Sequence, residues 1–284
     1  MFNFVLKNKK TKKQTNENEM SFWEHLEALR WHIVRSAIAV IAFAILALIY
    51  KDIIFDKIIF APKNPDFITN RFLCSIGKMI NVDYFCISNF VFKIINTNMS
   101  GQLMTHIYVS MVAGVILAIP YILWELWRFI KPALKENERK KSRSFVFVTS
   151  ILFFTGVVFS YFIIVPLTIN FLGTYKVSEN VENYITLNSY ISTVTNLSFA
   201  TGFVFEFPVL VYFLTKIGIL KPSFLIKYRR HIIVVILIIG AIITPPDVFS
   251  QIMVSIPMYG LFEMSIYVSK FVYKKRCRKQ NIAV

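Results

Sequence analysis

Residues 31–50 read WHIVRSAIAVIAFAILALIY and carry no charged side chain after Arg35. A helix of about 20 apolar residues is long enough to cross the roughly 30 Å hydrocarbon core of a bilayer. Three further runs of sufficient length lie within residues 94–127, 144–175 and 183–215. The sequence therefore predicts an all-α, polytopic membrane protein rather than a water-soluble domain.

The last two predicted spans are shorter than the first four. Residues 232–243 form a brief apolar run before Pro245, Pro246 and Asp247, and the chain returns over residues 249–269. We read these segments as a short helical hairpin, which requires a locally thinned bilayer or shielding by neighbouring helices. The total is about six transmembrane helices.

Composition and charge support a membrane protein and indicate its orientation. The chain is 56% hydrophobic and 17% charged, whereas an ordinary soluble domain is roughly 45–50% apolar. The net charge of +16 could indicate nucleic acid binding, but the cations lie at the ends of apolar runs, where anionic headgroups attract them. Most of the 32 Lys and Arg residues lie in segments that the predicted spans place on the same side of the membrane as the N-terminus. Because basic loops stay in the cytoplasm, both termini are predicted to be cytoplasmic, and no nucleic acid partner is expected.

The ends of the chain and its longest loop define the predicted domains. Residues 1–20 are expected to be a disordered cytoplasmic tail, because their apolar run, residues 2–6, is too short for a cleavable signal peptide and polar residues follow it. Residues 21–270 are predicted to form the six-helix transmembrane domain, and residues 271–284 a basic cytoplasmic tail. The outward loop, about residues 51–104, is expected to form a cap of short helices.

Two of the three cysteines, Cys74 and Cys86, lie in the outward loop, and Cys277 lies in the cytoplasmic tail. An oxidising compartment would permit a disulfide between the first two. The alternative is a pair of buried thiols.

No motif in the sequence indicates an enzyme. A zinc-protease motif, a nucleophile elbow and a phosphate-binding loop are all absent from it. Four histidines lie near the predicted span ends and are interpreted as interfacial side chains with no special role: His25, His32, His106 and His231. We therefore expect no catalytic activity, no bound metal and no cofactor.

Carboxylates in unusual places are the more informative residues. Glu206 lies deep in the fourth predicted span, where an ionised carboxylate is costly, so it should be protonated, hydrogen-bonded or beside a polar partner. It either ties two helices of this chain together or binds another membrane helix or a substrate. On the predicted cytoplasmic side lie Glu24, Glu27, Glu136 and Glu138, which either balance neighbouring cations or form an acidic pocket. Such a pocket suits guanidinium groups, because a carboxylate accepts two parallel N–H bonds from each.

Motifs in five segments match those of one known family. The strongest spans the last predicted hairpin and comprises Thr244, Pro245, Pro246, Asp247, Ser250, Gln251, Pro257, Met258, Leu261, Phe262 and Glu263. The other four comprise Ala61 and Pro62; Phe129, Pro132, Leu134, Glu138 and Arg139; Phe159, Tyr161 and Pro166; and Phe205, Glu206 and Pro208. In these residues and their order, residues 22–271 resemble the TatC family of twin-arginine protein translocase subunits.

The chain departs from the family pattern at one position. The family's N-terminal motif reads His-Leu-x-Glu-Leu-Arg, whereas residues 25–30 read HLEALR, which places Ala28 at the position of the glutamate. In a helix, Glu27 is turned about 100° away from that position, while Glu24 lies four residues earlier on nearly the same face. Either carboxylate could replace the missing one.

The resemblance implies a receptor for folded cargo proteins whose signal peptides carry paired arginines, driven by the transmembrane proton gradient. It implies that the arginine pair binds at Glu138, with Arg30 and Phe129 nearby and Glu27 or Glu24 completing the site. It also implies that the membrane face around Glu206 engages the single-helix subunits TatA and TatB. The expected location is the bacterial cytoplasmic (inner) membrane, in contact with lipid and in a homo-oligomer within the complex.

Two other interpretations remain open at the level of sequence. Glu206 could be the proton or ion site of a coupled secondary transporter. The chain could also be a structural scaffold, in which Asp247 only caps a helix. We assign Pro62, Asp247, Gln251 and Glu263 either a structural role or a role on the outward face.

Overall fold

A computed structural model of the chain describes residues 22–80, 93–130, 142–178, 180, 183–244 and 247–281. Nearly all of these residues are helical, which confirms the predicted all-α class. The helices are α1 (Phe22–Ile49), α2 (Ile68–Ile80), α3 (Gly101–Ile130), α4 (Ser142–Phe159), α5 (Val165–Thr174), α6 (Leu187–Phe205), α7 (Phe207–Ile217), α8 (Pro222–Lys227), α9 (Arg229–Ile243) and α10 (Val248–Asn281).

Long apolar helices confirm that the chain is polytopic. Within the described residues, five segments are long and apolar enough to cross a membrane: His25–Ile49, Gly101–Ile130, Phe145–Thr174, Leu187–Ile217 and Val248–Arg278. Helix α9, with 15 residues, is as short as its apolar run predicted, and its crossing stays a prediction. Helix α10, with 34 residues, is longer than expected, because the helix continues beyond its apolar run into the predicted basic tail.

Two of the long apolar segments are interrupted, each next to a proline. A π-helical turn at Ser160–Ile164 separates α4 from α5, just before Pro166. Glu206 separates α6 from α7, just before Pro208. Proline lacks an N–H group, and its ring clashes with the carbonyl one turn earlier, so it breaks the regular hydrogen-bonding of a helix. The second break places an acidic residue, Glu206, at a helix junction within a membrane segment.

Glycines allow neighbouring helices to approach closely. Helices α1 and α3 pack together where Gly114 lies against Ala44 and the carbonyl of Val40. Gly156 on α4 and Gly202 on α6 have the same role in a second pair. Small residues of this kind are typical of helix contacts within membranes, where tight packing replaces the hydrophobic effect.

We call the side of the molecule where α1 begins (residues 22–32) and α3 ends (residues 121–130) the N-terminal face. Aromatic rings connect several helices there. The ring of Trp127 on α3 stacks on that of Phe145 on α4, with centroids 4.2 Å apart. Trp127 also meets the edge of Phe213 on α7 at 5.6 Å. These contacts fix the ends of α3 and α7 beside the start of α4.

The opposite side carries the predicted cap of short helices. It contains a π-helical turn at Ile53–Ile59, a 3-10 turn at Ala61–Lys63 and helix α2. The Nδ2 atom of buried Asn70 donates to the carbonyls of Pro62 at 3.2 Å and Asn64 at 2.8 Å. A two-residue parallel ladder, β1 (Ile94–Ile95) with β2 (Ile185–Thr186), adds a connection between two loops that local sequence patterns did not predict.

Candidate functional site

Two histidines on α1 contact the ring of Phe129, one of the predicted site residues, at the N-terminal face. The imidazole of His25 stacks on the Phe129 ring, with centroids 4.3 Å apart and planes inclined by 23°. His32 meets the same ring edge-on at 6.0 Å. Because His25 and His32 are about two helical turns apart, they lie on one face of α1. That face therefore packs against the end of α3.

A buried carboxylate, Glu125, lies one turn before Phe129 on α3. Its side chain is only 3% exposed. The Oε2 atom is in close contact with Nδ1 of His32, and the hydroxyl of Tyr121 donates to Oε1 at 3.1 Å. The Nη1 atom of Arg128 lies 3.9 Å from Oε1. Buried charges are tolerated when they are paired and hydrogen-bonded, and Glu125 has both kinds of partner.

The structure packs α1, which carries Glu27 and Arg30, against the end of α3, which carries Phe129, and leaves other predicted site residues outside its description. Glu27 and Arg30 are exposed on α1, and Ala28 is half-buried between the levels of His25 and His32. Glu24 lies in α1, but its side chain is not described. Glu138 lies outside the described residues, so its predicted place beside Phe129 stays a prediction.

Sequence reasoning missed the contact between His32 and Glu125. The sequence showed only that Glu125 is the first acidic residue of its apolar run, and it gave the histidines no special role. In the structure, His25 and His32 each have a specific aromatic or acidic partner, while the interpretation that they have no special role stays a prediction. Helical periodicity could have placed both histidines on one face of α1, but it could not have identified the helix that this face meets.

Glu206 lies at the junction between α6 and α7 and is half-buried. Its backbone carbonyl accepts hydrogen bonds from the N–H groups of Val209 and Leu210, each at 3.0 Å. The side-chain Oε1 atom is buried and accepts no hydrogen bond from the residues that the structure describes. Within those residues, the prediction that Glu206 ties two helices of this chain together finds no support.

The residues with a predicted structural or outward-face role form local contacts. Oδ1 of Asp247 accepts a hydrogen bond from the Ser250 N–H at 2.6 Å, which caps the start of α10. The side-chain amide of Gln251 donates to the carbonyl of Leu237 at 2.9 Å and so joins α10 to α9. Pro62 is buried within the cap. These contacts are compatible with structural roles.

Glu263 forms an ion pair with Arg229, at the start of α9. The hydroxyl of Tyr259 donates to the other carboxylate oxygen of Glu263 at 3.1 Å. This pairing joins α9 to α10 and supports the structural role for Glu263.

The cysteines and possible metal ligands give no additional site. Cys74, on α2, is half-buried and disulfide-bonded, and Cys277, on α10, is free. Cys86 lies outside the described residues, so its pairing with Cys74 stays a prediction. Across the described ranges, no cluster of three His, Cys, Asp or Glu side chains is arranged to hold a metal.

The family model of the Sec-independent protein translocase protein TatC matches residues 24–257. The chain belongs to the TatC family. TatC of Blattabacterium sp. subsp. Periplaneta americana (strain BPLAN) is 40% identical over 265 residues, which cover 93% of this chain and 100% of that protein. TatCy of Bacillus subtilis (strain 168) is 31% identical over 258 residues, which cover 91% of this chain and 92% of that protein.

A solved structure has the same fold. A crystal structure described as the twin-arginine translocase receptor TatC aligns with a TM-score of 0.66 and 30% identity, covering 87% of this chain and 99% of that one. Family membership makes this TatC-family chain a multi-pass membrane protein and a core subunit of the twin-arginine translocase. It does not favour the secondary-transporter alternative.

Proposed function

We propose that the N-terminal face is cytoplasmic and binds the paired arginines of signal peptides on folded cargo proteins. The contact between His25 and Phe129 carries this proposal, because it brings the first turns of α1 to the end of α3. The two chain segments that the family resemblance assigns to the arginine pair therefore meet at one place. A receptor function is also supported by the similar crystal structure, which is described as the twin-arginine translocase receptor TatC.

Guanidinium chemistry explains why these residue types suit the site. A carboxylate accepts two parallel N–H bonds from arginine, and an aromatic ring accepts the flat face of the guanidinium. In the proposal, Glu138 and either Glu27 or Glu24 supply carboxylates, Phe129 supplies the ring, and Arg30 lies nearby. Lysine has a compact ammonium instead of a planar fork, so it should bind less well.

The proposed test is binding of a labelled twin-arginine signal peptide to the detergent-purified protein, compared with a peptide in which both arginines are lysine. Glu138→Ala should weaken binding of the arginine peptide. The matched control is Asp66→Ala, because Asp66 is an exposed carboxylate on the opposite side of the molecule. Equal affinity of wild-type protein for both peptides would contradict guanidinium-specific recognition.

The departure at Ala28 can be tested in the same assay. Restoring glutamate with Ala28→Glu, and removing Glu24 or Glu27 in turn, should show which carboxylate completes the site. Removing the carboxylate that replaces the family glutamate should weaken binding. Adding Ala28→Glu to that variant should then restore binding. If none of these changes alters affinity, the arginines bind elsewhere.

We further infer that the membrane face around Glu206 binds the helices of TatA- and TatB-type subunits in the bacterial inner membrane. Glu206 is half-buried, and its carboxyl accepts no side-chain hydrogen bond from the described residues. This supports the proposal, because a partly exposed carboxyl in a membrane segment favours a polar partner on a neighbouring helix. Glu206→Ala should reduce crosslinking to such a helix, whereas Glu206→Gln, which keeps an acceptor oxygen, should reduce it less. Unchanged crosslinking in the alanine variant would favour a contact within the chain.

A further inference from the structure

We propose that Glu125 is a specificity-determining residue that accepts a hydrogen bond from a signal-peptide arginine, and that Arg128 occupies its approach in the unliganded protein. This inference rests on the proposed function of the N-terminal face. It adds a carboxylate on α3 to those that the family resemblance assigns. Three features of the Glu125 side chain support it.

The first feature is the unused hydrogen-bonding capacity of Oε1. A carboxylate oxygen has two lone pairs and can accept two hydrogen bonds. Among the described residues, only the Tyr121 hydroxyl donates to Oε1, at 3.1 Å. The Arg128 nitrogen is 3.9 Å away, which is beyond the 2.7–3.2 Å or so of an N–H···O hydrogen bond. Oε1 can therefore accept one more N–H group.

The second feature is that a guanidinium already lies on the solvent side of this oxygen. The side chain of Arg128 is 59% exposed, whereas that of Glu125 is 3% exposed. Because the Arg128 end of this pair is exposed and the 3.9 Å separation is too long for a hydrogen bond, Arg128 can leave at low cost. Another guanidinium can then approach from the same direction. The contact between His32 and Oε2 remains during this exchange and keeps the carboxylate in place.

The third feature is the position of Phe129, which favours arginine over lysine. Residues four apart on a helix are neighbours, with Cβ atoms about 5–6 Å apart, so the Phe129 ring lies beside the Glu125 carboxylate. A planar guanidinium can stack on the ring and donate from its edge to Oε1 at the same time. A lysine ammonium lacks that flat shape. Glu125 should therefore raise the preference for arginine, rather than the affinity for any cation.

The experiment measures the affinities of the twin-arginine peptide and the twin-lysine peptide for four forms of the full-length protein in detergent. Arg128→Ala should raise affinity for the arginine peptide about two- to fivefold, the range that an exposed ion pair contributes, with a smaller gain for the lysine peptide. Glu125→Gln should lower affinity for the arginine peptide by about tenfold or more. In the double variant Arg128→Ala/Glu125→Gln, the loss of Arg128 should not increase the preference for the arginine peptide over the lysine peptide.

A control separates this specific effect from general electrostatics. Arg230→Ala removes one exposed positive charge from the start of α9, so any change in affinity that it causes should be similar for both peptides. The proposal is overturned if Arg128→Ala and Arg230→Ala change the arginine-to-lysine preference equally, or if Glu125→Gln leaves that preference unchanged. Arg128→Ala alters only an exposed side chain and should leave folding intact. The result for this variant therefore tests the proposal even if the Glu125 variant does not fold.

The outcomes also distinguish this inference from the proposed function on which it rests. If wild-type protein binds both peptides equally, the proposed receptor function fails. If wild-type protein prefers arginine but the variants keep that preference unchanged, only the role of Glu125 and Arg128 fails.

Discussion

Replacing Gly114 by alanine should weaken the packing of α1 against α3. The new Cβ atom would lie 2.8 Å from Ala44 Cβ, Ala44 N and Val40 O. Ordinary contact begins at 3.4 Å, so the helices would have to separate by about 0.6 Å. Two of the three obstructing atoms are backbone atoms and cannot rotate away. Overpacking of this kind costs about 1–3 kcal/mol.

Gly260→Ala provides the matched control. Gly260 also lies in a long helix, but a Cβ atom there would meet no atom of the described structure within 4 Å. Both substitutions gain helix propensity, by up to about 1 kcal/mol in aqueous hosts. The difference in unfolding free energy between the two variants therefore isolates the contact with α1. We expect Gly114→Ala to be less stable than Gly260→Ala by about 1–3 kcal/mol.

Both stabilities can be measured by unfolding the protein in mixed micelles with a denaturing detergent and following helicity by circular dichroism. Signal-peptide binding should weaken in Gly114→Ala as well, because the same two helices meet at Phe129. Equal stability of the two alanine variants would refute the close approach at Gly114. It would mean that α1 lies farther from α3 than the structure places it.

Three further substitutions test contacts elsewhere in the fold, each by the same unfolding measurement. Asp247→Ala removes the oxygen that accepts from Ser250 N–H and should cost about 1 kcal/mol, while Asp247→Asn should retain most of the stability. Glu263→Gln weakens the ion pair with Arg229 and should cost about 1 kcal/mol because the pair is only partly buried. Asn70→Ala leaves two carbonyls of the cap without their donor and should cost about 1–3 kcal/mol. No change in any one variant would mean that the corresponding hydrogen bond contributes nothing to stability.

The sequence predicted the long helices well because each depends on local composition. The run at residues 31–50, for example, became part of α1 with no need of information about its neighbours. The break at Glu206 was only partly visible, since Pro208 indicated an interruption but not a buried Oε1 atom that has no hydrogen-bond partner among the described residues. The β1–β2 ladder was not predicted, because its two-residue strands are too short to show an alternating pattern.

The candidate site was predictable to the extent that it depends on motifs shared with the family. Phe129 was identified in this way, and the structure places it against His25. The contact between His32 and Glu125 joins residues 93 positions apart, and it depends on the antiparallel register of α1 and α3. Neither residue belongs to the matched motifs, so a comparison of motifs alone could not reveal the pair.

The positions of Ala28 and Glu125 suggest how a recognition site can keep its chemistry when one carboxylate is missing. Ala28 lies on the face of α1 that packs against Phe129, while Glu125 lies one turn from Phe129 on α3. A guanidinium bound on the Phe129 ring needs an acceptor oxygen at its edge, and either helix can supply one. In the proposed site, the position of the carboxylate is therefore set by its distance from the Phe129 ring rather than by its place in the sequence. His32 contacts Oε2, and among the described residues only Tyr121 donates to Oε1, so in the proposed site Oε1 is the oxygen that can accept a hydrogen bond from an incoming arginine.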